Sequence, residues 1–118
     1  MEFSHEEIDG IIVASIVGEI SGVKEFRDQL DPLVEKTKAN ALSPGMVIDL
    51  EKVVYITSSG IGHLCMKQIS LSPMGKKIAL ADAKGSLAEF LVKVGLYNFL
   101  CVQTCVPTAI KLLNDEHH

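Results

Sequence analysis

Basic residues are few and dispersed in this chain. Eleven Lys and Arg stand against fifteen Asp and Glu, the formal charge is −4, and the densest basic group is only Lys76-Lys77. A nucleic acid is held through clustered Lys and Arg on its phosphates, so no nucleic-acid partner is expected. Cysteine is scarce as well: there are three, an odd number that does not suggest a secreted disulfide framework. Cys101 and Cys105 follow a CxxxC spacing, not the CxxC of redox or zinc sites, and no matching pair exists. All three are read as small buried apolar residues, and no metal site is expected. No apolar run approaches membrane-spanning length, and the acidic, polar opening MEFSHEEIDG is not that of a signal peptide. The expectation is a cytoplasmic protein with no membrane partner.

What remains is globular in composition. Of 118 residues, 47% are apolar and 22% charged, enough apolar surface to offset the ordering entropy of a chain. One domain of this length buries roughly two-thirds of its unfolded surface. A single domain is expected over residues 1–114, without repeats or low-complexity linkers. Residues 115–118 form a tail whose final EHH reads as a purification-tag remnant and carries no functional weight.

The periodicity gives an order of elements. IIVASIV (Ile11–Val17) reads as a strand, preceded by a shorter one near Phe3–Glu7 with Asp9-Gly10 as the hairpin turn. Val23, Phe26, Leu30, Leu33 and Val34 fall at helical spacing, and Pro32 predicts a kink or break there, with Asp31 capping a restarted turn. MVIDL (Met46–Leu50), KIALA (Lys77–Ala81) and LCVQ (Leu100–Gln103) are short apolar strands covered on both faces. Leu87, Phe90, Leu91 and Val94 make a helical stripe stopped by Gly95. Val106, Ala109, Ile110 and Leu113 make the last, with Thr104 as its cap. Strands alternating with helices predict an α/β fold: an N-terminal hairpin leading into βαβαβα, with a mixed, mostly parallel sheet.

Chemistry concentrates in IDLEKVVYITSSGIGHLC, Ile48 to Cys65, where three hydroxyl residues stand between a strand and a helix. Ile61, Leu64, Cys65 and Ile69 share one face of that helix; Gly62, His63, Met66 and Ser70 lie on the other. Met66 there is either a lone exposed apolar residue or a partner contact. Three readings of the hydroxyls compete. Ser58 or Ser59 caps the helix by accepting an orphan N–H. Alternatively Ser58 is a nucleophile, but a nucleophile elbow needs glycine two residues before the serine, where Ile56 stands, and only His5 and His63 offer a base. Or Ser58 is a phosphoacceptor: a phosphoryl group at a helix N-terminus meets free N–H groups and a favourable macrodipole, with Gly60 and Gly62 leaving room for it. A receiver domain phosphorylated on aspartate fits poorly, because the first long strand ends VGEIS with one lone acid and the Asp49 strand continues into Leu50 and Glu51. The chain is not expected to be an enzyme.

VIDLEKVVYITSSGIGHL resembles the signature of STAS domains, and specifically of free-standing bacterial anti-sigma factor antagonists. GEISG (Gly18–Gly22), LVKVGLYNFLCV (Leu91–Val102) and PTAIKLL (Pro107–Leu113) extend the resemblance over nearly the whole chain. It implies a four- to five-stranded mixed sheet with helices. It also implies a partner, an anti-sigma factor that is an ATP-dependent serine kinase, whose binding ends when the motif serine is phosphorylated and resumes through a serine phosphatase. By motif position that serine is Ser58. Thr57 stands where the commonest pattern has an acid, and Ser21 where many relatives have Asp. The implied partner surface comprises Glu19, Ser21, Gly22, Thr57, Ser59, Gly60, Gly62, His63 and Met66, with Lys67 and the Asp82–Gly85 segment beside it. No cofactor is implied, since ATP belongs to the kinase. The alternative is a STAS interaction module that is never phosphorylated, as in stressosome-like or other scaffolds.

Overall fold

A computed structural model describes residues 1–95 and 99–116. Leu96, Tyr97 and Asn98, inside the LVKVGLYNFLCV stretch, and His117 and His118 of the tail lie outside the described residues. The order of elements is β1 (Glu2–Ile8), β2 (Ile11–Ile20), α1 (Val23–Ala39), β3 (Gly45–Ile56), α2 (Ser58–Leu71), β4 (Lys77–Ala81), α3 (Gly85–Lys93), β5 (Cys101–Gln103) and α4 (Val106–Glu116). A 3-10 turn, Ser72–Met74, follows α2.

The hairpin forms where Asp9 and Gly10 both take positive φ, 52° and 81°. That pair of left-handed residues is what a two-residue turn between twisted antiparallel strands requires. The five strands lie side by side in sequence order; β1 and β2 are antiparallel and every later pairing is parallel. This is the expected mixed sheet. Right-handed crossovers between successive parallel neighbours carry their helices to one face. There α1 (Phe26, Leu30, Leu33, Val34), α2 (Ile61, Leu64, Leu71) and α3 (Leu87, Leu91) pack on Ile16, Ile20, Met46, Ile48, Ile78 and Leu80. On the opposite face α4 lays Ala109, Ile110 and Leu113 on Ile11, Val13, Val47, Ala79 and Ala81. Residues alternate sides along a strand, so a strand covered twice must be apolar throughout. That is why Met46, Val47 and Ile48 are consecutive apolar residues, each fully buried.

Several expectations are corrected. Helix α1 runs unbroken through Pro32, and Asp31 caps nothing. An interior proline costs about 3 kcal/mol, but it is outweighed here because Phe26, Leu30, Leu33 and Val34, on both sides of it, sink into one core, each worth roughly 1.5–3 kcal/mol. Pro32 itself is exposed, on the solvent side of the helix. β2 extends to Ile20, taking Glu19 into the strand, and β3 continues past the expected end at Leu50 to Ile56. Helix α4 is entered from Cys105, whose carbonyl accepts the Ala109 N–H, not from Thr104. It runs through Glu116, so residues 115 and 116 are helical. At the start of β3, Gly45 is obligatory: with φ 151°, a Cβ there would lie 1.9 Å from the Lys77 carbonyl oxygen.

Candidate functional site

The hydroxyl cluster stands at the carboxyl end of the parallel strands. β3 ends at Ile56 and α2 begins at Ser58, with Thr57 between them in extended conformation. Thr57 is the cap: its Oγ1 accepts the Gly60 N–H at 3.1 Å, and its carbonyl accepts the Ile61 N–H at 3.0 Å. Neither Ser58 nor Ser59 caps the helix, which corrects the sequence reading. The reason is positional, since a cap's oxygen must precede the first helical residue by one, and the strand ends one residue earlier than that reading needs. Ser58 and Ser59 occupy the first two helical positions. Both are exposed, and the Ser58 hydroxyl makes no hydrogen bond among the described residues.

The Thr57 N–H donates to the Ile20 carbonyl at 3.0 Å, which ties the end of β2 to the start of α2. Glu19 pairs with Tyr55 and Ile20 with Ile56 in the strand register. Exposed Ser21 and Gly22 follow and lead into α1. Glu19, Ser21, Gly22, Thr57, Ser58 and Ser59 thus lie at the same end of the sheet. Gly62 and Met66 lie on the solvent side of α2, where Met66 is 63% exposed. Ile69, assigned to the buried face from its spacing, is also on this side, 61% exposed.

Other residues of the expected surface are elsewhere. Gly60 is buried where α2 crosses close to Ile56 and Ile20, so it is a packing position and not a surface one. His63 does not face solvent either: it is 7% exposed, with its ring edge-on to Phe26 at 6.1 Å. Its Nε2 lies 2.7 Å from Asp31 Oδ1, and because a carboxylate only accepts, that nitrogen carries the proton. Lys67 Nζ reaches the other oxygen of Asp31 at 3.3 Å. The polar face of α2 is therefore sewn to α1 by one carboxylate, and its two basic side chains are committed there. Asp82 does not stand beside Ser58. β4 ends level with Asp49, so Asp82 turns away with φ 61° and sits against Asp49 and Glu51.

Those three carboxylates have ligand oxygens within 4.8 Å of one another, the arrangement among the described residues that could hold a hard cation; exposed acidic groups often go without one. Asp49 lies mid-strand and accepts the Glu51 N–H at 3.0 Å. Sequence reasoning also missed Gln68 and Lys76. Gln68 is buried, accepts the Ile78 N–H at 2.7 Å and donates to the Lys76 carbonyl at 3.3 Å, which fixes the far end of α2 to β4. Lys76 is 4% exposed and donates to the Asn40 and Ser43 carbonyls. Burial pushes its ammonium below the ordinary lysine range. Burial likewise pushes the Cys65 thiol up, but Cys65, Cys101 and Cys105 are all only partly buried and not the fully buried residues expected.

Fold and site together define a class: a small α/β domain presenting an uncommitted serine at a helix mouth, between strand ends. The sequence matches the STAS domain family over residues 2–109, and the chain belongs to that family. Solved structures of similar fold include an anti-sigma factor antagonist from Mycobacterium paratuberculosis (22% identity, 97% of this chain and 94% of that chain, TM-score 0.82). The protein TM1081 from Thermotoga maritima is 15% identical over 96% of this chain and 89% of that one, with a TM-score of 0.80. The Bacillus anti-sigma factor antagonist SpoIIAA, in its unphosphorylated form, is 16% identical over 95% and 97%, with a TM-score of 0.68. No curated protein sequence matches the chain. Among the described residues, no helix is long and apolar enough to cross a membrane.

Proposed function

We propose that this STAS domain is an anti-sigma factor antagonist switched by phosphorylation of Ser58. It docks on an anti-sigma factor that is a serine kinase. That kinase transfers the γ-phosphoryl group of ATP to Ser58 Oγ, which loses its proton as ADP departs, and a serine phosphatase later restores the hydroxyl. The observation that carries this reading is the division of labour at the helix start: Thr57 does the capping, leaving Ser58 exposed with its hydroxyl unbound among the described residues. Modification therefore breaks no hydrogen bond of the fold. The added charge of about −1.5 to −2 sits at the positive end of α2. A neutral cap at Thr57 spares the phosphoryl group a carboxylate neighbour. Docked against a partner, the same charge must be desolvated, and a loss of about 1.4–4 kcal/mol corresponds to roughly one to three orders of magnitude in affinity.

The test pairs Ser58→Asp with Ser58→Ala. The first should keep the fold and bind the cognate kinase at least about tenfold more weakly; the second should bind and resist phosphorylation. Equal binding by wild type and both variants would sink the proposal. Thr57, in place of the acid common in the family pattern, favours a second reading, a constitutive interaction module in a scaffold. Incubation with ATP and the candidate kinases of the same genome separates the two. Mass spectrometry that finds Thr57, Ser58 and Ser59 unmodified throughout supports the module.

A further inference from the structure

β3 and β4 part after the Asp49–Ala81 pair. β4 ends there, while β3 runs on to Ile56. On the side β4 has left, no strand lies beside Leu50–Ile56 among the described residues. A strand edge without a neighbour presents N–H and C=O groups at the spacing of an extended chain. Facing it is α3. Val54, Tyr55 and Ile56 on one wall, and Ser86, Leu87 and Phe90 on the other, line an open groove of about 250 Å³. Two register shifts against β2, before Lys52 and before Tyr55, break the alternation of β3. Such bulges re-aim side chains, and here the consecutive residues Val54 and Tyr55 both point outward, 65% and 52% exposed. At the fork below the groove stand Asp49, Glu51 and Asp82, none of them ion-paired with Lys, Arg or His among the described residues.

We propose, building on the reading of Ser58 as a docking switch, that the partner inserts an extended segment between β3 and α3. The segment adds a strand to the open edge of β3, sets apolar side chains in the groove, and places a Lys or Arg against the three carboxylates. Each requirement follows from one observation. A strand edge without a neighbouring strand accepts an extended peptide by main-chain hydrogen bonds. An apolar lining selects apolar side chains at alternate positions. Three clustered carboxylates without a counter-charge attract a cation, and inside a docked interface that complementarity fixes direction and register. Ile56 lines the groove, and Ser58 stands two residues further along the chain. A phosphoryl group on Ser58 would then meet the same segment at its far end.

The test is a selection of phage-displayed random dodecapeptides on the intact chain. The best peptide, labelled with fluorescein, is then titrated by anisotropy and mapped by amide chemical shifts. Enriched peptides should carry a Lys or Arg ahead of alternating apolar residues, with shifts concentrated at residues 50–56 and 85–91. Val54→Lys changes an exposed side chain and should weaken binding at least about tenfold. Ser86→Trp, which fills the groove from the helix wall, should do the same, and Glu51→Lys should reduce the preference for a basic residue. The proposal is overturned if no motif enriches, if the peptide maps elsewhere, or if Val54→Lys and Ser86→Trp both bind like wild type. Phosphorylation of Ser58 is scored separately: a modified Ser58 with an empty groove defeats this inference alone, and a peptide-binding groove with unmodified Ser58 defeats the switch alone.

Discussion

Gly60 and Gly62 are two residues apart in one helix, and the same substitution should affect them in opposite ways. At Gly62 an added Cβ meets nothing within 4 Å. Gly62→Ala therefore gains helix propensity alone, about 0.8–1 kcal/mol. At Gly60 the Cβ would lie 2.9 Å from Ile56 Cγ1 and 3.2 Å from Ile20 Cγ2, with Ile56 Cδ1 at 3.4 Å. Both isoleucines are buried, at 2% and 1% exposure, so neither has open space to move into. Forcing a methyl group into such a contact costs about 1–3 kcal/mol. The propensity gain is shared, somewhat reduced in the first turn, so the difference between the two variants isolates the overpacking. Urea denaturation reads it directly. With a slope of about 2 kcal/mol/M for a small domain, the Gly62→Ala midpoint should rise by about 0.5 M. The Gly60→Ala midpoint should stay at the wild-type value or fall by up to about 1 M. Equal midpoints for the two variants would refute the close approach of α2 to the strand ends, and with it the account of what positions Ser58.

Asp31→Ala should cost about 1–3 kcal/mol, because it leaves a buried imidazole without its acceptor; Lys67→Ala, acting on the outer oxygen of the same carboxylate, should cost less than about 1 kcal/mol. Denaturant midpoints that rank these two the other way would show that His63 does not depend on Asp31. For Lys76 the folded state gives up its proton before the unfolded state does, since burial lowers its pKa. Between those two values the unfolded chain binds more protons, so the stability contributed at this site rises with pH across the alkaline window below the ordinary lysine value. The stability difference between wild type and Lys76→Met should therefore shift in favour of wild type on going from neutral pH into that window; a constant difference contradicts it. Cys105 is held below the ordinary thiol range by hydrogen bonds from the Thr108 side chain and backbone, while burial raises Cys65. Iodoacetamide should modify Cys105 before Cys65, and Thr108→Val should slow it; peptide mapping that finds Cys65 first would overturn the assignment.

The elements most legible in the sequence are those whose burial pattern is local. KIALA is a strand with the limits its composition gives, Asp9-Gly10 is the hairpin, and the α3 stripe ends just before Gly95. The serine at the helix mouth was also visible, because a strand pattern giving way to a helical one places it without knowledge of any other segment. β3 beyond Leu50 was not. Its burial runs two exposed and one buried through Glu51–Ile56, a period that belongs to neither strand nor helix and arises from two bulges against β2.

Local spacing determined which segments are helices and strands, that they alternate, and that Ser58 opens one of the helices. It could not determine which polar residues are buried. His63 and Asp31 are 32 positions apart, so only the docking of α2 on α1 makes one the partner of the other and removes both His63 and Lys67 from the free surface. Nor could it show that Thr57 takes the cap and frees Ser58, which depends on where β3 stops pairing with β2. The groove beside Val54 exists only because β4 is shorter than β3 and α3 returns against the uncovered edge. Periodicity records what a residue needs from its own element; pairing length and helix docking are settled by contacts between elements, and those carry no local signal.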